Sequence, residues 1–173
     1  MLTKNAKKLI LYCIMDSCIS GTGYPEPNHV EYTLTNMQGT SITTSAYARS
    51  TYSFINSLNH VITDPTQNSI TFIRCGTGTS EPTENDYRLS FVSGISCDSV
   101  ITSIGSNVSK KIYTATFSND TDADIVVTEI GFFTNFFYTS TNNDNFLLDR
   151  ILLETPITIP AGESKAITYE LGF

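Results

Sequence analysis

The chain has 173 residues, of which 40% are hydrophobic and only 16% charged, with a net charge of −7. This length suits a single domain with a sizeable core. The acidic balance argues against nucleic acid as a partner, because phosphate binding needs a basic face.

The first predicted element is a short helix over residues 3–16, "TKNAKKLILYCIMD", with Thr3 as N-cap and Asp16, Ser17, Gly21 and Gly23 ending the pattern. Its basic start and the apolar run Leu9–Met15 imitate an export signal. That run is short, Asp16 interrupts it, and no small-x-small cleavage site follows cleanly. It is also too short to span a bilayer, so no membrane partner is expected. A helix of this length is marginal alone in water and must pack on something. Residues 1–20 are therefore expected to form an arm and residues 21–173 a single domain. Leu2, Leu9, Ile10 and Leu11 are the arm's candidate interface residues, docking on its own domain or on a neighbouring subunit.

After the link "GTGYPEPN" (21–28) the pattern changes to short extended runs: "HVEYTLT" (29–35), "SITTSAYA" (41–48), "SITFIRC" (69–75), "YRLSFVS" (87–93) and "SVITSIG" (99–105). The series continues with "KIYTATFS" (111–118), "DIVVTEIGFF" (124–133), "FLLDRILL" (146–153) and "KAITYELGF" (165–173). "TYSFINSLNHVI" (51–62) reads as a helical turn among them. Turn-forming connectors separate the runs, and "SNDTDAD" (118–124) reads as the clearest hairpin turn. Short strands at this spacing predict a mainly β fold, an antiparallel β-sandwich of immunoglobulin-like or jelly-roll-like form, with a short N-terminal helix.

Residues 76–89, "GTGTSEPTENDYRL", begin like a nucleotide-binding G-x-G-x-x-G turn. Glu81 stands at the third glycine position, Pro82 removes a backbone donor, and Glu84 and Asp86 add negative charge. A phosphate cradle needs free N–H groups away from carboxylates, so the stretch reads as a strand exit and a capped turn, and no cofactor is expected. Asp120, Asp122 and Asp124 match the first three ligand positions of a calcium loop, but Ile125 replaces the required glycine and Gly131 the bidentate Glu. A polar turn is expected there, with a weakly held cation on the three carboxylates as the alternative. His29 and His60 are the only histidines, and neither lies near a nucleophile signature, so no catalytic residue is selected and no enzyme is expected. Cys13, Cys18, Cys75 and Cys97 have no C-x2-C spacing and read as free, reduced thiols.

Two features carry more information. "GFFTNFFY" (131–138) holds Phe132, Phe133, Phe136, Phe137 and Tyr138, which cannot all face one core. Some of them are expected to meet a partner, unless the strand is covered on both faces. The second feature is Glu129 in "TEIGFF" and Arg150 in "LLDRILL", each a lone charge in an apolar strand. A buried charge is costly unless partnered, so the two, on consecutive strands expected to pair, should form a structural ion pair or take backbone hydrogen bonds. The competing reading has Asp149 and Arg150 facing opposite sides, with Arg150 solvated.

The blocks "GTGTSEPTENDYRL", "ATFSNDTDADIVVTEIGFF" and "LLDRILLETPITIPAGESKAITYELGF" together resemble a group of small virion structural proteins of tailed bacteriophages, in particular phages of gut bacteria. The likeness covers residues 1–11 and 70–173. It implies a β-sandwich subunit attached in many symmetric copies to the head, neck or tail of a virion assembled in the host cytoplasm. Its partners would be other virion proteins and copies of itself, and it implies no catalytic residues. The alternative from composition is a carbohydrate- or receptor-binding module, with Tyr138 and Asn142–Asn145 around a concave site.

Overall fold

Alternating apolar and polar side chains, rich in Thr, Ile and Phe, give a mainly β chain. The computed structural model describes residues 2–8, 31–45, 71–104, 110–137 and 143–172. Among the described residues, the strand pairs are all antiparallel. β1 (Glu31–Thr35) and β2 (Ser41–Ser45) form a hairpin. Its turn is shaped by Asn36, whose Oδ1 accepts from Gln38 N and Thr40 N, and by Gly39 at φ +83°. β3 (Thr71–Gly76), β6 (Ile125–Phe137) and β7 (Asn143–Ile159) make one sheet in the order β3-β6-β7. β4 (Ile95–Ile104), β5 (Lys110–Asn119) and β8 (Ser164–Gly172) make a second in the order β4-β5-β8.

The two three-stranded sheets share one hydrophobic cluster, with Ile73, Ile130, Phe132 and Phe146 from the first and Tyr113, Phe117, Ile167 and Tyr169 from the second. Phe132 stacks on Tyr169 with ring centroids 5.9 Å apart and tilts against Tyr113 at 5.1 Å. Tyr169 Oη also donates to Asp149 Oδ2, linking β8 to β7. Each fully buried side chain of this size stabilises the fold by about 1.5–3 kcal/mol.

The structure corrects two sequence expectations in this region. "YRLSFVS" (87–93) is not a strand but part of a loop, residues 77–94, between β3 and β4. Its alternation is real, yet Ser90 N–H donates to a side-chain carboxylate and not to a neighbouring strand. "SNDTDAD" is not a hairpin turn either, because β5 and β6 belong to different sheets. It is a corner, organised by the buried Asn119. Asn119 Nδ2 donates to Ala123 O, Ile159 O and Pro160 O, while its Oδ1 accepts from Thr121 N and Oγ1. The β7–β8 corner is tied to the same residue, since Gly162 N donates to Asn119 O and Asn119 N to Glu163 O. One asparagine thus holds two of the crossings between the sheets, β5 to β6 and β7 to β8.

Within the long β7, residues 153–156 fall where the register with β6 slips, between Val127↔Ile157 and Glu129↔Leu152. Pro156 sits in this irregularity, where no ladder donor is required. At the N-terminus, residues 4–8 form a helical turn capped by Thr3 Oγ1, which accepts from Ala6 N at 3.3 Å. The rest of the expected helix (9–16) and the 51–62 segment lie outside the described residues.

Candidate functional site

β6 presents Ile130 and Phe132 to the shared core and Glu129, Gly131 and Phe133 to the opposite face of its sheet. Loop 77–94 covers that opposite face. Leu89 from the loop packs with Phe133 and Leu147, and Phe72 stacks on Phe133 at 5.4 Å. Gly131 makes room for this layer, since a Cβ there would stand 2.9 Å from both Leu89 and Leu147. Phe132 and Phe133, expected at a partner interface, are therefore both buried inside the chain, on opposite faces of β6. The reason is the covering loop, which supplies a second apolar layer from residues some forty positions earlier.

The same loop closes over the charged pair. Arg150 Nε donates to Glu129 Oε2 at 2.6 Å, with the Glu129 side chain fully buried and that of Arg150 5% exposed. Glu129 Oε1 accepts from Gly78 N at 2.9 Å and Ser90 N at 2.6 Å, so both ends of the loop are anchored on one carboxylate. Arg150 Nη1 donates to Asp86 Oδ2 at 2.7 Å, and Nη2 donates to Ser80 O and Ser80 Oγ. The Gly-Thr-Gly stretch follows from this geometry. A Cβ on Gly76 or Gly78 would stand 2.5 Å from Glu129 Oε1, so only glycine lets the backbone approach the carboxylate.

Asp86 completes the arrangement. Its carboxylate accepts from Thr83 N at 3.0 Å and Thr83 Oγ1 at 2.8 Å, while Asp86 N donates back to Thr83 O, a reciprocal cap within the loop. Burial alone would raise the Asp86 pKa, but the Thr83 and Arg150 hydrogen bonds outweigh it and hold it below the ordinary aspartate value. Burial likewise opposes the Arg150 charge, yet Asp86 and Glu129 hold its pKa above the ordinary value. The guanidinium is a four-way tie between β7, β6 and two points of the loop.

The N-terminal segment fastens the loop from outside. Thr3 N donates to Leu148 O, Thr3 Oγ1 to Leu147 O, and Lys4 N to Glu84 O at 2.7 Å. Lys7 Nζ pairs with Glu84 Oε2 at 2.7 Å, and these lysines hold the exposed Glu84 carboxyl below its usual range. Leu2, expected as an interface residue, packs against the core of its own chain and bridges to Asp149.

The remaining expected residues are placed as follows. Leu9, Ile10, Leu11, Tyr138, Asn142, His29 and His60 lie outside the described residues. Phe136 and Phe137 fall at the end of β6, in register with Asp144 and Asn143. Asn145 and Asp144 are engaged within the chain: Asn145 Oδ1 accepts from Asn135 Nδ2, and Asp144 Oδ2 from Asn36 Nδ2. Asp120, Asp122 and Asp124 are exposed at the corner; Asp120 accepts from Ser96 Oγ and Asp124 from Ala161 N. Among the described residues, no three His, Cys, Asp or Glu side chains are grouped to hold a metal. Cys75 and Cys97 are not joined in disulfides, and burial pushes the Cys75 thiol up to about 12.

The bonds among Glu129, Arg150, Asp86 and the loop backbone act as a lock. A shallow, open depression of about 200 Å³ lies against it, lined by residues that include Ser80, Asp86, Tyr87, Arg88 and Arg150. It is smaller than typical ligand pockets of roughly 300–1,000 Å³. The Arg150 groups at its floor are already bonded to Asp86 and Ser80. The arrangement fixes a loop and neutralises buried charge. Sequence reading found Glu129 and Arg150 but missed Asp86 and Gly78 as members; the glycines and the Thr83-x-x-Asp86 spacing were the available signals. Compared with protein families, curated proteins and solved structures, the chain matches none.

Proposed function

We propose that this chain is a non-enzymatic structural subunit of a tailed-phage virion, a β-sandwich that assembles in multiple copies on the head, neck or tail. The sandwich reading is supported by the Phe132, Tyr113 and Tyr169 rings that meet between the two three-stranded sheets. One observation carries the functional reading: the residues behind the resemblance are engaged in holding the chain together. Gly76, Gly78, Asp86, Glu129, Gly131 and Arg150 build the lock under the loop. Asn119, Thr121, Pro160 and Gly162 build the double corner, and Asp149 and Tyr169 join the sheets. A motif set most of whose buried polar groups bond to one another is what a scaffold needs; a catalytic site leaves groups turned toward a substrate.

The test is quantitative mass spectrometry of particles purified from the phage that encodes the chain. The reading expects peptides of this chain at many copies per particle, resistant to salt washing. Absence of the chain from intact particles would overturn it. The carbohydrate- or receptor-binding alternative would show as the chain on particles together with selective glycan retention by the isolated protein.

A further inference from the structure

The N-terminal segment sits on its domain in the manner of a bound peptide. Apart from bonds within its own helical turn, residues 2–8 bond to groups far along the chain: Thr33 and Thr35 on β1, Glu84 and Asn85 on the loop, Leu147 and Leu148 on β7. The contacts are specific. Asn5 Nδ2 donates to Thr35 O at 2.7 Å and Thr35 N donates back to Asn5 Oδ1 at 2.9 Å, so this side chain acts as the strand partner of the β1 end. Thr3 and Ala6 are 0% and 2% exposed, and the Leu2–Asp149 bridge with the Thr3 N–H bond follows the outer edge of β7. The outer edge of a sheet is where an extended segment from another chain adds. Lys4 and Lys7 meet Glu84 across this groove, giving it charge complementarity as well as shape.

We propose that this groove, between β7, the loop at residues 83–85 and the end of β1, takes residues 2–8 of a second copy of the chain, so that neighbouring subunits exchange N-terminal clips. Exchange of an identical element keeps every contact and adds only a change of partner. Residues 9–30 join the clip to β1, and an extended chain of that length reaches up to about 70 Å, beyond the width of one domain. A tether corresponds to an effective concentration on the order of mM, which copies held side by side in a symmetric assembly match. The inference rests on the reading that the chain assembles in many copies.

The experiment uses the full chain made in light and in ¹⁵N-labelled form. The two are mixed equally, annealed through mild denaturant at about 1 mM total chain and treated with a zero-length carbodiimide cross-linker. This reagent joins Lys7 Nζ to the Glu84 carboxylate, 2.7 Å apart. Exchange predicts that about half of the linked Lys7–Glu84 peptides join one light and one heavy partner, falling as the protein is diluted. Only like-labelled pairs, or no Lys7–Glu84 pair at all, would overturn the exchange. Neither outcome touches virion membership, which particle mass spectrometry decides separately.

Discussion

Replacing Arg150 by Met removes the guanidinium and keeps most of the apolar stem. Hydrogen bonds at 2.6, 2.7, 2.9 and 3.2 Å to Glu129, Asp86 and Ser80 are lost. The Glu129 carboxylate, fully buried, keeps only the Gly78 and Ser90 amides as donors. Breaking a buried pair by removing one partner costs about 3–5 kcal/mol, because an uncompensated charge stays in the interior. Domains of this kind have about 5–15 kcal/mol of stability, so the loss is a large fraction of the total. At about 2–4 °C per kcal/mol, Tm should fall by roughly 6–20 °C. The second step is Glu129→Gln in the Arg150→Met background. Glutamine still offers its Oε1 to the two amides but carries no charge, so it should restore at least about 1 kcal/mol, although Glu129→Gln alone is destabilising. Urea unfolding with a common slope reads these values as midpoint shifts. A loss below about 1 kcal/mol for Arg150→Met, or strict additivity of the two changes, would refute the lock as a coupled unit.

Four further outcomes follow from the same geometry. Gly78→Ala places a Cβ 2.5 Å from Glu129 Oε1, and a cost of about 1–3 kcal/mol is expected in the same unfolding assay. Asn119→Ala leaves the Thr121 and Gly162 region without its tie and should cost about 2–3 kcal/mol, with faster amide exchange at both corners as the local readout. The Asp86 pKa is lowered on folding, so its contribution is present above the ordinary aspartate pKa of about 3.9 and is lost as pH falls through the folded value. Asp86→Asn should therefore lower stability at pH 7 and flatten the acid limb of the midpoint-against-pH curve. The Cys75 thiol, raised to about 12, should stay silent to thiol reagents at pH 8 until the chain unfolds. Because its folded pKa lies above the unfolded one, its contribution holds below about pH 8.5 and fades as pH rises toward 12.

Much of the strand order was legible because alternation survives in β3, β5, β6 and β8. Pairing was not. The turn chemistry of "SNDTDAD" is the same whether the chain doubles back in one sheet or crosses to another, and only the three-dimensional position of Ile159 and Pro160 makes Asn119 a corner residue. "YRLSFVS" has the alternation of a strand, but the Glu129 carboxylate takes the Ser90 N–H bond. Tertiary context overrode the local pattern there. Glu129 and Arg150 stood out because lone charges in apolar strands require partners. Their third member, Asp86, is separated from Arg150 by 64 positions and gave no such signal. "EIGFF" was ambiguous for a related reason: two-sided burial depends on a covering layer that periodicity cannot assign to loop 77–94.

The central claim is that the polar groups of this chain hold a scaffold that repeats in a particle. That proposal makes the chain a phage product, and a cryo-electron microscopy reconstruction of such a phage tests it most directly. The account predicts density for this chain at symmetry-related positions, with loop 77–94 over its own sheet and Arg150 bonded to Glu129 and Asp86 within each subunit. A particle without the chain, or one in which Arg150 turns outward to a ligand or a different protein, would contradict it.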